Sequence, residues 1–85
     1  MPAAARDTAA ILSILVRSMV DSPDAVDVET VLEPKGACFR LRVAKTDVGK
    51  VIGKQGRTSR SLRVILLAIG QTHDRQFSLD IVEDK

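Results

Sequence analysis

At 85 residues the chain holds one small domain, with a modest core and something to gain from self-association. A hydrophobic share of 45% beside 28% charged residues excludes a disordered chain, and the single cysteine, Cys38, excludes an intrachain disulfide or a cysteine metal cluster and fits a reducing cytoplasm. Net charge is only +2, yet residues 45–63 carry six basic residues against one acid, Asp47, so that stretch stands at +5 and the rest of the chain at −3.

The first seven residues lack the basic region, apolar core and cleavage site of a signal peptide. The apolar run over 11–20 is too short to span a bilayer and is interrupted by Arg17, so no membrane contact is expected. Asp7 or Thr8 is positioned to cap a first helix reaching about Val20, with Ile11, Leu12, Leu15, Val16 and Met19 on its apolar stripe. Asp21-Ser22-Pro23-Asp24 breaks it. Over 26–33, Val26, Val28, Thr30 and Leu32 alternate with mostly polar residues, which predicts a half-buried strand. Pro34-Lys35-Gly36 turns the chain into a second strand over 37–44, with Phe39, Leu41 and Val43 inward and Cys38, Arg40 and Arg42 outward.

Thr46 or Asp47 then caps a short helix bearing Val48, Val51 and Ile52, which Gly53 ends. A longer helix over 57–69 follows, closed by Gly70. Leu62, Ile65, Leu66 and Ile69 lie on one face and Arg57, Arg60 and Arg63 on the other. After a loop over 71–75, a last strand over 76–82 turns Phe77, Leu79 and Ile81 inward, and Glu83-Asp84-Lys85 trails off. The first two strands pair as a hairpin, and the third lies parallel to the second through a right-handed crossover. The expected fold is α+β: two layers, a three-stranded mixed sheet covered on one face by three helices.

The chemistry concentrates at Val51-Ile52-Gly53-Lys54-Gln55-Gly56-Arg57. Two glycines permit positive φ and close approach of a ligand to the backbone. The start of the following helix favours an anion through its free amides and its dipole. Lys54 and Arg57 add full positive charge, so a phosphate is the expected guest.

This glycine-x-x-glycine motif, set in an α-β-β-α-α-β order, resembles the KH domain in its type II arrangement. The run from Asp47 to Thr58, the helix before it and the short acidic ending are similar to the KhpA-like family of small bacterial single-KH RNA-binding proteins, over nearly the whole chain. Where many KH motifs place isoleucine three residues after the second glycine, this chain has Ser59. The resemblance implies a non-enzymatic clamp for about four nucleotides of single-stranded RNA. The residues it points to are Lys50, Val51, Ile52, Gly53, Lys54, Gln55, Gly56, Arg57 and Arg60, with Arg40 and Arg42 as a second wall. No cofactor and no metal is implied. It further implies a cytoplasmic RNA chaperone or post-transcriptional regulator that pairs with itself and with a KhpB-like KH protein in control of the cell envelope and cell length. With no Trp or Tyr and both Phe residues assigned to the core, aromatic stacking on bases is not available, so binding is electrostatic, salt-sensitive and weakly selective.

Other readings compete. The same surface could serve a protein–protein adaptor, or single-stranded DNA in place of RNA. The glycines could be a plain helix connection, but such a connection needs no Lys50, Lys54 and Arg57 beside it. Gly49-x-x-x-Gly53-Lys54 falls one residue short of a P-loop and lacks its Ser/Thr. His73 beside Asp74 has the setting of a solvated loop histidine, and Cys38 has no histidine to activate it. Val64, Leu67 and Ala68 continue the Arg57–Arg60 side of the long helix as a small apolar cluster, expected to be a dimer or partner contact.

Overall fold

The computed structural model describes residues 1–83, so the trailing Asp84 and Lys85 lie outside the described residues. Its elements are α1 (Ala3–Arg17), β1 (Asp27–Glu33), β2 (Gly36–Arg42), α2 (Val48–Ile52), α3 (Arg57–Thr72) and β3 (Gln76–Ile81). The sheet order is β1-β2-β3, with β1 antiparallel and β3 parallel to the central β2. Thr30, Phe39 and Leu79 stand in register across it. Ala37, Phe39, Leu41, Phe77 and Leu79 are buried on the face that the helices cover, against Leu12 and Val16 of α1, Val51 of α2, and Leu62 and Leu66 of α3. The Phe39 and Phe77 rings meet edge-to-face with centroids 5.2 Å apart, a geometry that sets a positive ring edge on a negative ring face. The architecture is the expected two-layer α+β arrangement.

Several boundaries differ from the sequence reading, each for a physical reason. α1 starts four residues before Asp7. Three alanines are strong helix formers, and Pro2 at the N-cap carries no amide to leave unsatisfied. Thr8 is therefore inside the helix and buried, where its hydroxyl donates to the Ala4 carbonyl at 2.7 Å. α1 stops at Arg17, where the Ser18 hydroxyl donates to the Leu15 carbonyl, so Met19 and Val20 lie beyond it. Its buried face is Ala5, Thr8, Leu12 and Val16, which leaves Ile11, Ile14 and Leu15 exposed.

On β1, Val28 and Thr30 are half-buried, but Leu32, which lines an open cleft with Ala4 and Ala5 of α1, is 53% exposed. Gly70 does not close α3, which continues to Thr72. A Cβ at Gly70 would lie 2.5 Å from the Arg75 carbonyl oxygen and 3.2 Å from the Phe77 ring, so this glycine lets β3 press against the helix. Asp74, at φ 55°, takes the left-handed position after the helix instead, a conformation that aspartate tolerates better than most residues.

Candidate nucleic-acid interface

α2 is five residues long, too short to be stable alone, and two anchors hold it. Val51 is fully buried in the core. Asp47, at the residue before the helix, is fully buried as well. It is not the helix cap that the sequence suggests. Its carboxylate accepts the backbone N–H groups of Asp21 (3.1 Å) and Ser22 (3.0 Å), 26 and 25 residues earlier, and so ties the α1–β1 connection to the start of α2. Lys50 Nζ completes the cluster, 2.7 Å from Asp21 Oδ2 and 3.4 Å from Asp47 Oδ1. Burial pushes the Asp47 carboxyl up, but the two amides and the Lys50 ammonium together outweigh it and hold the group below the ordinary carboxylate range. The hydrogen bond to Asp21 pushes the Lys50 ammonium up.

The chain leaves α2 through a turn that only unusual backbone angles can make. Gly53 sits at φ 78°, ψ 170°, a region essentially closed to side chains. A Cβ there would collide with Thr58, 2.7 Å from its Cβ and 2.9 Å from its amide nitrogen, so the loop lies directly on the first turn of α3. Gln55 (φ 58°) and Gly56 (φ 71°) are both left-handed. Within the turn, the N–H groups of Gly53, Gly56 and Arg57 donate to the carbonyls of Gly49, Gly53 and Lys54. Among the described residues, those of Lys54 and Gln55 make no such bond. No side chain caps the start of α3. The hydroxyl of Ser59, itself buried, instead donates to the Gly56 carbonyl at 3.1 Å. A small hydroxyl thus fills the place where an isoleucine is common, and it satisfies a backbone acceptor of the turn.

The structure brings some of the expected residues together and separates others. Lys54, Gln55, Arg57 and Arg60 are exposed at the turn and the first turns of α3, with Ile52 half-buried beside them. The Arg57 guanidinium donates from Nη2 to Gln55 Oε1 at 3.1 Å. Val51 points into the core, so it sets the position of α2 rather than lining a surface. Lys50 faces Asp21 and Asp47. Arg40 and Arg42 alternate with the buried Phe39 and Leu41 and therefore lie on the sheet face opposite the helices. There Arg40 stands between Glu29 (3.2 Å) and Asp80 (3.5 Å) on the neighbouring strands. That open face is not shared with the turn, which belongs to the helix layer.

The sequence reading missed three contributors: Thr58 as the residue that Gly53 packs on, Ser59 as the partner of the Gly56 carbonyl, and Asp47 as the brace of α2. Only Ser59 left a trace in the sequence, as a hydroxyl residue on an otherwise apolar helix face.

Further along α3, Val64 (59%), Ile65 (43%) and Leu67 (48%) are exposed, with Ala68 beside them. Among the described residues, no group of three or more His, Cys, Asp and Glu side chains could hold a metal, and no helix is long and apolar enough to cross a membrane.

Comparison with known proteins agrees with this geometry. The sequence model of the KhpA/KhpB KH domain matches residues 9–81. RNA-binding protein KhpA of Chlamydia caviae is 36% identical over 74 residues, covering 87% of this chain and 95% of the relative. That of Listeria monocytogenes serovar 1/2a is 38% identical over 73 residues, covering 86% and 95%. That of Aquifex aeolicus is 41% identical over 73 residues, covering 86% and 92%. No solved structure matches the chain. The α-β-β-α-α-β order, the left-handed glycine turn between α2 and α3, and a match spanning most of the chain together make this protein a member of the KhpA/KhpB KH-domain family.

Proposed function

We propose that this protein is a single-stranded RNA-binding module, not an enzyme, that grips the sugar–phosphate backbone at Gly53-Lys54-Gln55-Gly56. The observation that carries the reading is the exposed trio Lys54, Arg57 and Arg60, grouped around the turn at the uncapped start of α3. Gly53 and Gly56 give a strand clearance at the backbone, the amides of Lys54 and Gln55 offer donors, and the three cations neutralise phosphates. Ile52 offers an apolar edge to a base. Lys50 and Val51 act indirectly, by holding α2 in place. Three phosphate contacts on a single strand correspond to a salt slope of about −2 in log K against log salt.

The relatives are RNA-binding proteins by name, and the shared family name joins KhpA to KhpB. We infer by likeness that the chain acts as an RNA chaperone or post-transcriptional regulator in the cytoplasm. Its partners would be a second copy of itself or a KhpB-like protein, met through Val64, Leu67 and Ala68, with an effect on cell-envelope growth and cell length. An adaptor that has given up RNA would have no use for three unpaired-sign charges at one turn. Single-stranded DNA remains the competing guest, separated by direct comparison of the two oligonucleotides.

The testing variant is Lys54→Asp with Gln55→Asp. Both side chains are exposed, and aspartate tolerates the left-handed backbone at position 55. The expected result is an unchanged far-ultraviolet circular dichroism spectrum with binding of a short single-stranded RNA lost in a shift assay. Equal binding by the variant would remove the turn as the site.

A further inference from the structure

Gln55 occupies a backbone conformation that glycine, asparagine and aspartate adopt readily and glutamine does not. Its φ of 58° and ψ of 26° lie in the left-handed helical region, at a cost that glycine at the same position would avoid. A residue kept in a disfavoured conformation points to something its side chain does. The side chain is exposed, so it does not pack the core. It reaches Arg57 instead: the guanidinium donates from Nη2 to Gln55 Oε1 at 3.1 Å. A guanidinium has five N–H donors, so most stay available to a phosphate. The side chain of asparagine, one methylene shorter, would not reach as far.

We infer that Gln55 is a positioning residue that holds the Arg57 guanidinium over the glycine turn, where it meets a phosphate; without the tether the guanidinium leaves the turn and that phosphate contact is largely not made. This rests on the RNA-clamp reading above and assigns a role within it. The tether matters because the rotamer entropy lost in fixing a free arginine offsets most of what one exposed phosphate contact gains, so an untethered guanidinium stays in solvent and neutralises no phosphate.

The test uses the full chain and a short fluorescein-labelled single-stranded RNA of mixed sequence, followed by anisotropy from about 0.05 to 1 M salt. Gln55→Asn and Gln55→Gly break the tether with no change in net charge. Both are expected to melt at or above the wild-type temperature, since each relieves the left-handed strain. Both are also expected to flatten the salt slope by up to about 0.7, the value of one phosphate contact on a single strand. That corresponds to up to about eightfold weaker binding at 0.05 M salt, fading toward none at 1 M. In an Arg57→Gln background, Gln55→Asn is expected to change neither the slope nor the affinity.

A neutral substitution with a merely structural role, or one that removed a direct amide–RNA hydrogen bond, would leave the slope alone. An unchanged slope in Gln55→Asn therefore overturns the assignment, as does an equal loss in the Arg57→Gln background. Lys54→Asp is the control for the parent reading. If it weakens binding while Gln55→Asn does not, the clamp stands and the tether falls. If neither variant weakens binding, both fall.

Discussion

Gly53→Ala tests the geometry of the turn most sharply. At φ 78°, ψ 170° any residue with a Cβ costs about 1–3 kcal/mol from backbone conformation alone. The added methyl would also lie 2.7 Å from Thr58 Cβ and 2.9 Å from the Thr58 amide nitrogen, against its hydroxyl as well. Overpacking of that kind typically costs about 1–3 kcal/mol more. The sum, roughly 2–6 kcal/mol, is a large part of the roughly 4–13 kcal/mol that holds a chain of this length together.

Gly56→Ala is the internal reference. Gly56 is also left-handed, but a Cβ there meets only Ser59 Oγ, at 3.9 Å, so the conformational cost of about 1–2 kcal/mol stands alone. Urea unfolding followed by circular dichroism reads both, with each kcal/mol worth about 4–8 °C in a parallel thermal scan of a domain this small. Gly53→Ala with Thr58→Ala is expected to recover only the part owed to the threonine hydroxyl, since alanine keeps the Cβ at 2.7 Å and the amide nitrogen at 2.9 Å. If Gly53→Ala proved no less stable than Gly56→Ala, the turn would not rest on α3 as described and the site built on it would be misplaced.

Asp47→Asn addresses the buried brace. Because the folded carboxyl titrates below its unfolded value, its contribution is present above about pH 4, the unfolded value, and is lost as pH falls through the folded one. Stability measured from pH 7 downward should therefore fall in acid for the wild type, while the asparagine variant starts lower at pH 7 and falls less; parallel curves would contradict the assigned hydrogen bonds. Val64→Asp and Leu67→Asp should abolish any self-association seen by light scattering; a monomer at high concentration in the wild type would remove the dimer reading. Arg40→Ala should change stability by no more than about 1 kcal/mol, as exposed ion pairs do. It should also leave RNA affinity within about twofold, the sum of a small long-range charge effect and no lost contact. A loss comparable to that of Lys54→Asp would put the open sheet face in the RNA path.

Much of the molecule was legible before any coordinates. Alternation over Phe39, Leu41 and Val43 set the buried side of β2, because a strand's side chains have a strict period of two. Helical spacing assigned Leu62 and Leu66 to the core and Arg57 and Arg60 to the surface. Gly53 and Gly56 announced a turn because glycine, with no Cβ, reaches positive φ at least cost.

What the sequence could not carry was every fact that depends on partners distant along the chain. Asp47 reads locally as a helix cap, yet it is spent on amides 25 and 26 residues away. Gly70 reads as a helix stop, yet it lies inside α3 as a gap that admits the Arg75 carbonyl and the Phe77 ring, five and seven residues further along. Periodicity marks Ile11, Leu15 and Ile65 as core, yet a three-stranded sheet is too narrow to cover the full apolar width of its helices, and they stay exposed. Local chemistry thus wrote the elements and the glycine turn. Tertiary packing decided which polar groups are consumed inside the fold and which remain free to bind, because burial and hydrogen-bond pairing are properties of neighbours in space.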